Sequence, residues 1–289
     1  MMIHGVKVIA AIAIAAALGQ SSSAFAQRAS DSQDTWHAGC IYLPPREATT
    51  CHSENRRQAE KANAEAMVSL LIEAKALNDL IRRGTNQDRG LVMLALNAHA
   101  YGLEARKIIC QLARQAGGSD EEQEGIEEAC LHRLTVERGR QIKGDTEAFG
   151  AEGELFLPPT WPKPEGSAEQ PDCRFDSTQL NFTECMNQRR ETAERALTDM
   201  AEKLRSQLEE YAASNIIERE TAQLVRSALE AWRAYRDAEC RFLASASDAG
   251  GSTRGLAFVT CSLESTVVRL ERLAQSAQAI RARFEKRAR

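Results

Sequence analysis

Aromatic residues make up only 5% of this 289-residue sequence, and glycine and proline are sparse too, at 17 and 7. Sheets lean on aromatic side chains and glycine-rich turns, so this scarcity argues against a sheet-based fold. Charge of one sign is also lacking. A net charge of −4 gives no general grip on nucleic acid or on an anionic membrane. Beyond residue 26 no apolar run approaches the roughly 20 residues that span a bilayer. There is no nucleophile elbow, no phosphate loop and no metal-ligand motif. Paired carboxylates for glycoside chemistry would need a cleft, which a narrow helical bundle hardly offers. The expectation is a protein that is not an enzyme and holds no cofactor or metal. What is abundant is alanine, leucine, glutamate and arginine. These are strong helix formers, and they point to helices packed on helices.

The first 26 residues read as an address. Lys7 precedes the apolar run Val8–Leu18, and Ser21–Ser23 leads into Ala24-Phe25-Ala26. This is the pattern of a secretory signal peptide cleaved before Gln27. The run is too short for a membrane span, and no cysteine near the cleavage point offers a lipid anchor. The expected product is periplasmic or secreted, with no membrane span after cleavage.

An oxidising compartment gives the cysteines their meaning. Eight occur: Cys40, Cys51, Cys110, Cys130, Cys173, Cys185, Cys240 and Cys261. An even count in an exported protein reads as disulfides. The first four are separated by 11, 59 and 20 residues, and the last four by 12, 55 and 21. Neighbouring residues repeat as well. Arg56-Arg57 after Cys51 matches Arg189-Arg190 after Cys185. Ala116-Gly117-Gly118-Ser119 matches Ala249-Gly250-Gly251-Ser252, and Thr135 and Arg138 match Thr266 and Arg269. The chain is a duplication, with copies at about 36–143 and 172–287. Between them, 144–171 holds five of the seven prolines, Pro158, Pro159, Pro162, Pro164 and Pro171. Proline blocks helix there, so this is a linker.

Each copy reads as three helices joined by short turns, hence antiparallel. In the first the expected spans are Thr50–Arg83, Gln87–Gln115 and Ser119–Lys143. In the second they are Thr178–Ala213, Ile216–Ser245 and Thr253–Lys286. Ser119 with Glu122, and Asn215 with Glu218, resemble capping boxes. Leu256, Val259, Leu263, Val267, Leu270, Ala274 and Ala277 form one apolar stripe at steps of three and four. The fold expected is all-α: two tandem, disulfide-stabilised, three-helix antiparallel bundles joined by a proline-rich linker.

Helix rise sets Cys185, Cys240 and Cys261 level at one end of the second bundle, with Cys173 in a lead-in that can fold back. This favours Cys173–Cys185 and Cys240–Cys261, and Cys40–Cys51 and Cys110–Cys130 in the first copy. Three pairings per copy are open to four cysteines, and the sequence does not choose. His37, Cys40, Cys51 and His52 could imitate a zinc site, but the second copy has no histidine at the matching places.

The second copy carries a further pattern. Cys173 is followed by Ser177-Thr178-Gln179-Leu180-Asn181 and Glu184-Cys185. The run Trp232-Arg233-Ala234-Tyr235-Arg236-Asp237-Ala238-Glu239-Cys240 comes later, then Gly250-Gly251-Ser252, Cys261 and Arg269. Over about 173–275 this resembles the lysozyme-inhibitor LprI-like domain family. The resemblance implies a small, helical, disulfide-bearing, secreted or periplasmic domain, and a protein partner of which lysozyme is the named case. The first copy keeps the cysteines but has Gly102-Leu103-Glu104-Ala105-Arg106-Lys107 in place of the tryptophan run.

Two sets of residues are candidates for partner binding. Asp120, Glu121, Glu122 and Glu124 begin the third helix of the first copy, where six carboxylates fall in nine residues. Such a patch would steer a cationic lysozyme; it also suits a well-capped helix start. Trp232, Tyr235 and Asp237 form the second set, as a recognition surface or as core and helix ties. The functional expectation is an exported binding protein that inhibits lysozyme or a related cell-wall hydrolase. The alternative is an envelope interaction or stress module without such activity.

Overall fold

A computed structural model of the chain describes residues 40, 43–85, 90–115, 119–150, 173, 178–214, 220–246 and 252–287. The signal segment and residues 151–171 of the expected linker lie outside the described residues. Among those described there is no strand. The helices are α1 (Pro45–Thr85), α2 (Leu91–Arg114), α3 (Asp120–Gly150), α4 (Gln179–Ala213), α5 (Glu220–Ala246) and α6 (Ser252–Arg287). The chain is all-helical, as its composition requires.

Helix ends follow local chemistry. α1 starts at Pro45, five residues before the expected Thr50. Proline suits that first position because its missing N–H would have had no partner there. Gly90 precedes α2 with φ 60°, a left-handed turn that glycine adopts without steric cost. The Ser119–Glu122 capping box forms, with the Glu122 amide donating to Ser119 Oγ at 3.3 Å and the Ser119 amide to Glu122 Oε2 at 3.4 Å. Thr178 caps α4 by accepting from the Asn181 amide at 3.3 Å. Asn215 and Glu218, the other capping pair expected, lie outside the described residues. α3 runs on to Gly150, past the expected stop at Gly144, because no proline follows until Pro158.

Four disulfides close: Cys40–Cys51, Cys110–Cys130, Cys173–Cys185 and Cys240–Cys261, with Cα separations of 5.5–5.7 Å. In each repeat one bridge ties the lead-in to the first helix and the other ties the second helix to the third. Cys40 and Cys51 are joined to each other, so neither is a thiolate ligand. His37 lies outside the described residues, and His52 instead faces His132, Nδ1 to Nδ1, at 3.3 Å.

Packing joins the repeats more closely than a linker would. Within each repeat the first and third helices make the main contact, α1 on α3 and α4 on α6. The second helices turn elsewhere: α2 packs on α5 more extensively than either packs on its own repeat. The central cluster therefore draws on both, with Ile109, Cys110 and Leu134 beside Leu197, Leu204, Trp232 and Leu273. A second cluster sets Phe242 of α5 among Leu70, Leu91 and Ile142 of the first repeat. Phe242 is only 1% exposed, so a second-repeat side chain completes the first repeat's core.

The stripe expected on α6 does face the cores, but it is flanked by buried polar residues. The helix's buried residues are Val259, Ser262, Leu263, Thr266, Arg269 and Leu273, while Leu256, Val267 and Leu270 are half-buried. The packing brings polar Thr266 and Arg269 inward to meet α5, which an apolar count cannot register.

Candidate functional site

The inward polar residues build the same clamp in both repeats. In the second, Arg236 Nη1 donates to Thr266 Oγ1 at 2.9 Å and pairs with Glu194 Oε2. Glu194 also accepts from Arg233 Nε, and Arg233 Nη2 donates to Thr198 Oγ1 at 2.7 Å. Three helices are thus pinned by one guanidinium. In the first repeat Arg106 Nη1 donates to Thr135 Oγ1, and its Nη2 lies 3.7 Å from Glu60 Oε1. The arginine stands four residues before the α2 or α5 cysteine, and the threonine five after the α3 or α6 cysteine. The glutamate stands nine after the α1 or α4 cysteine. Equal offsets from the cysteines were the signal for this clamp; the sequence showed the matched threonines and a helix tie at Arg236 or Asp237, but not that Arg236, Glu194 and Thr266 meet.

Charge and burial set the protonation of the clamp. Burial raises the Glu194 carboxyl, but Arg236 and Arg233 outweigh it and hold the group below its ordinary value. Arg236 and Arg269 both lie over the Trp232 ring, 5.0 and 5.7 Å from its centroid. Burial pushes Arg269 down to about 9, which leaves it a cation at neutral pH.

The tryptophan run is consequently interior. Trp232 is 4% and Tyr235 8% exposed, sealed by the packing of α5 on α2. Of the two roles the sequence left open for them, recognition surface or core, Trp232 and Tyr235 take the place of core residues. Asp237 is half-buried and holds Arg236, with its Oδ1 2.8 Å from Nη2.

The acidic start of α3 is exposed but largely engaged. Glu127 pairs with Arg114 at 3.0 Å and Glu128 with Arg56 at 2.9 Å. Glu122 caps the helix, and Glu121 meets the exposed Arg46 at 3.2 Å. Asp120 and Glu124 are exposed. The two sets of candidates therefore lie apart, one on the surface of the first repeat and one inside the junction.

Two concave features complete the picture. A cavity of about 50 Å³ lies at the junction, lined by Gly102, Arg106, Glu137, Arg138, Trp232 and Tyr235 among others. Burial pushes Glu137 up to about 7 there, against the pull of Arg272, Arg133 and Arg140. A larger groove of about 650 Å³ opens between α4 and α6. Met200, Leu204, Ala274 and Ala277 floor it, and Glu202 and Arg281 stand among its charged residues. Among the described residues no group of three or more His, Cys, Asp or Glu could hold a metal ion.

With this geometry in place, the comparison with protein families is informative. Residues 173–273 match the family described as Lysozyme inhibitor LprI. The LprI region covers α4, α5 and most of α6, both second-repeat disulfides and every residue of the Arg236 clamp. The match does not extend to the first repeat, which shares the helix order, the bridges and the clamp. No curated protein and no solved structure matches the chain.

Proposed function

We propose that this is an exported protein that binds and inhibits lysozyme or a related cell-wall hydrolase. The LprI match over 173–273 is the observation that carries this reading. The four disulfides support it, since such bridges persist in oxidising compartments. No helix among the described residues is long and apolar enough to cross a membrane.

Because Trp232 and Tyr235 are buried, contact with a target falls to open surfaces. The exposed carboxylates Asp120, Glu121 and Glu124 suit the first encounter with a cationic enzyme, and the α4–α6 groove of the LprI region suits apolar contact. A second reading, an envelope interaction module without a hydrolase target, has its own support. The acidic patch stands on the repeat outside the match, and arginines already hold part of it.

Adding the oxidised mature protein to lysozymes of several classes, and following cell-wall lysis, separates the two. Slowed lysis at micromolar concentration is expected. Neither inhibition nor binding at that level would discard the hydrolase reading and leave the interaction module. Given inhibition, reversing Glu121 and Glu124 to lysine should slow association roughly 3–10-fold at low salt, with less effect at high salt. An unchanged rate would clear the patch of any role.

A further inference from the structure

The junction of the repeats is directional. Gly102 of α2 stands against Tyr235 of α5: a Cβ built on Gly102 would lie 3.2 Å from Tyr235 Cε2 and 3.3 Å from Cδ2. Further along, Gln115 Oε1 accepts from Thr221 Oγ1 at 3.4 Å. The numbering rises on one helix as it falls on the other, so α2 and α5 run antiparallel. Ala105 then stands level with Trp232, and both belong to the central cluster.

Matching the repeats by Cys110 and Cys240 makes Gly102 the counterpart of Trp232 and Ala105 the counterpart of Tyr235. Each small residue thus faces the counterpart of the other. That is the pairing a two-fold relation between the repeats demands, with both aromatics of these pairs on α5 and both small residues on α2.

The aromatic ring that enters beside Gly102 is also held as the native tryptophan is. Arg269 lies over Trp232 within the second repeat, and its counterpart Arg138 lies over Tyr235, 5.6 Å from the centroid. Tyr235 Oη donates to Gln141 Oε1 at 2.6 Å, and Gln141 Nε2 donates to Glu239 Oε1 at 2.7 Å. Arg138 Nη1 reaches Glu239 at 2.9 Å. The second repeat therefore lends the first an aromatic ring in the place where the first lacks one.

We propose that Gly102 and Ala105 form a receptor for Tyr235 and Trp232, making the first repeat the dedicated partner of the second. Loss of the tryptophan run in the first repeat is then complementarity rather than decay. Two second repeats in the same register would set Trp232 against Tyr235 twice, with no small residue to receive either. Two first repeats would set Gly102 against Ala105 and leave voids. Like pairs are rejected and the unlike pair is accepted, which is how steric specificity works.

The test uses the full chain and a double-mutant cycle read by melting temperature. Gly102→Leu should lower Tm by roughly 3–10 °C, the range for overpacking in a chain of this size. In a Tyr235→Ala background the same change should raise Tm, because leucine fills the space the ring has left. Should Gly102→Leu fail to fold, Gly102→Ala serves: no gain in the parent chain, and a gain beside Tyr235→Ala. Equal shifts in both backgrounds, or a gain in both as helix propensity alone would produce, would overturn the proposal.

Discussion

Arg236 and Arg106 hold equivalent places in the two clamps, yet their surroundings differ. The Arg236 side chain is 5% exposed and its partner Glu194 22%, whereas Glu60 beside Arg106 is 39% exposed and lies farther away. Arg236→Met should cost about 2–3 kcal/mol, since it leaves a half-buried carboxylate and the buried Thr266 hydroxyl with less compensation. Arg106→Met should cost about 1 kcal/mol, because Glu60 keeps Arg56 and water. Urea unfolding of both variants checks the order; a larger loss at Arg106 would contradict it.

Glu137 behaves oppositely to Glu194 in pH. A lowered carboxyl stabilises the fold above the ordinary range and loses that effect as pH falls. Burial raises Glu137 to about 7, so the folded chain binds its proton more tightly than the unfolded chain does. Stability is therefore given up as pH rises from the ordinary carboxyl range through about 7. Glu264 runs the same way and His99 the other, and both are unchanged by a substitution at Glu137. Glu137→Gln should match the parent near pH 5 and melt higher than it at pH 8. A constant difference in Tm across that range would refute the account. The identity of these residues was open in the sequence, but their burial was not, since charged residues rarely advertise an interior place.

At the level of helices, the disulfides divide by what they join. Cys110–Cys130 ties α2 to α3, while Cys40–Cys51 ties a lead-in to α1. Replacing Cys110 and Cys130 by alanine should cost about 2–4 kcal/mol. The same change at Cys40 and Cys51 should cost less, because it frees a short lead-in and leaves every helix contact in place. Guanidinium unfolding of the two double variants would show it, and equal losses would mean the lead-in carries more of the fold than its contacts suggest. Helix starts were legible where a capping side chain marks them, as at Ser119 and Thr178, whereas the start at Pro45 was placed five residues late. The end of α3 was not, because a single glycine costs a helix only about 1 kcal/mol and does not stop it. The apolar stripe of α6 was legible, but the polar residues buried beside it were not. Thr266 and Arg269 are drawn inward by partners on α5 that no periodicity reveals.

For the molecule as a whole, the shared cores predict cooperative behaviour. Among the described residues, two of the three hydrophobic clusters contain residues of both repeats. Calorimetry of the intact protein should give one transition, with the second repeat melting together with the first. Two resolved transitions would show that the α2–α5 contact contributes little. The same contact buries Trp232 and Tyr235 and so removes them from the surface of the LprI region.

The sequence alone determined the helical class, the repeated cysteine spacing and the LprI resemblance. The first two rest on composition and spacing and the third on motif residues, all of which survive without coordinates. Tertiary structure decided what meets what. Periodicity says that a face of α2 and a face of α5 are buried, but burial has no address. A glycine at 102 reads as a weak point in a helix until Tyr235 is seen against it, held under Arg138. Contacts of that kind depend on shape at a distance along the chain, and shape exists only once the chain has folded.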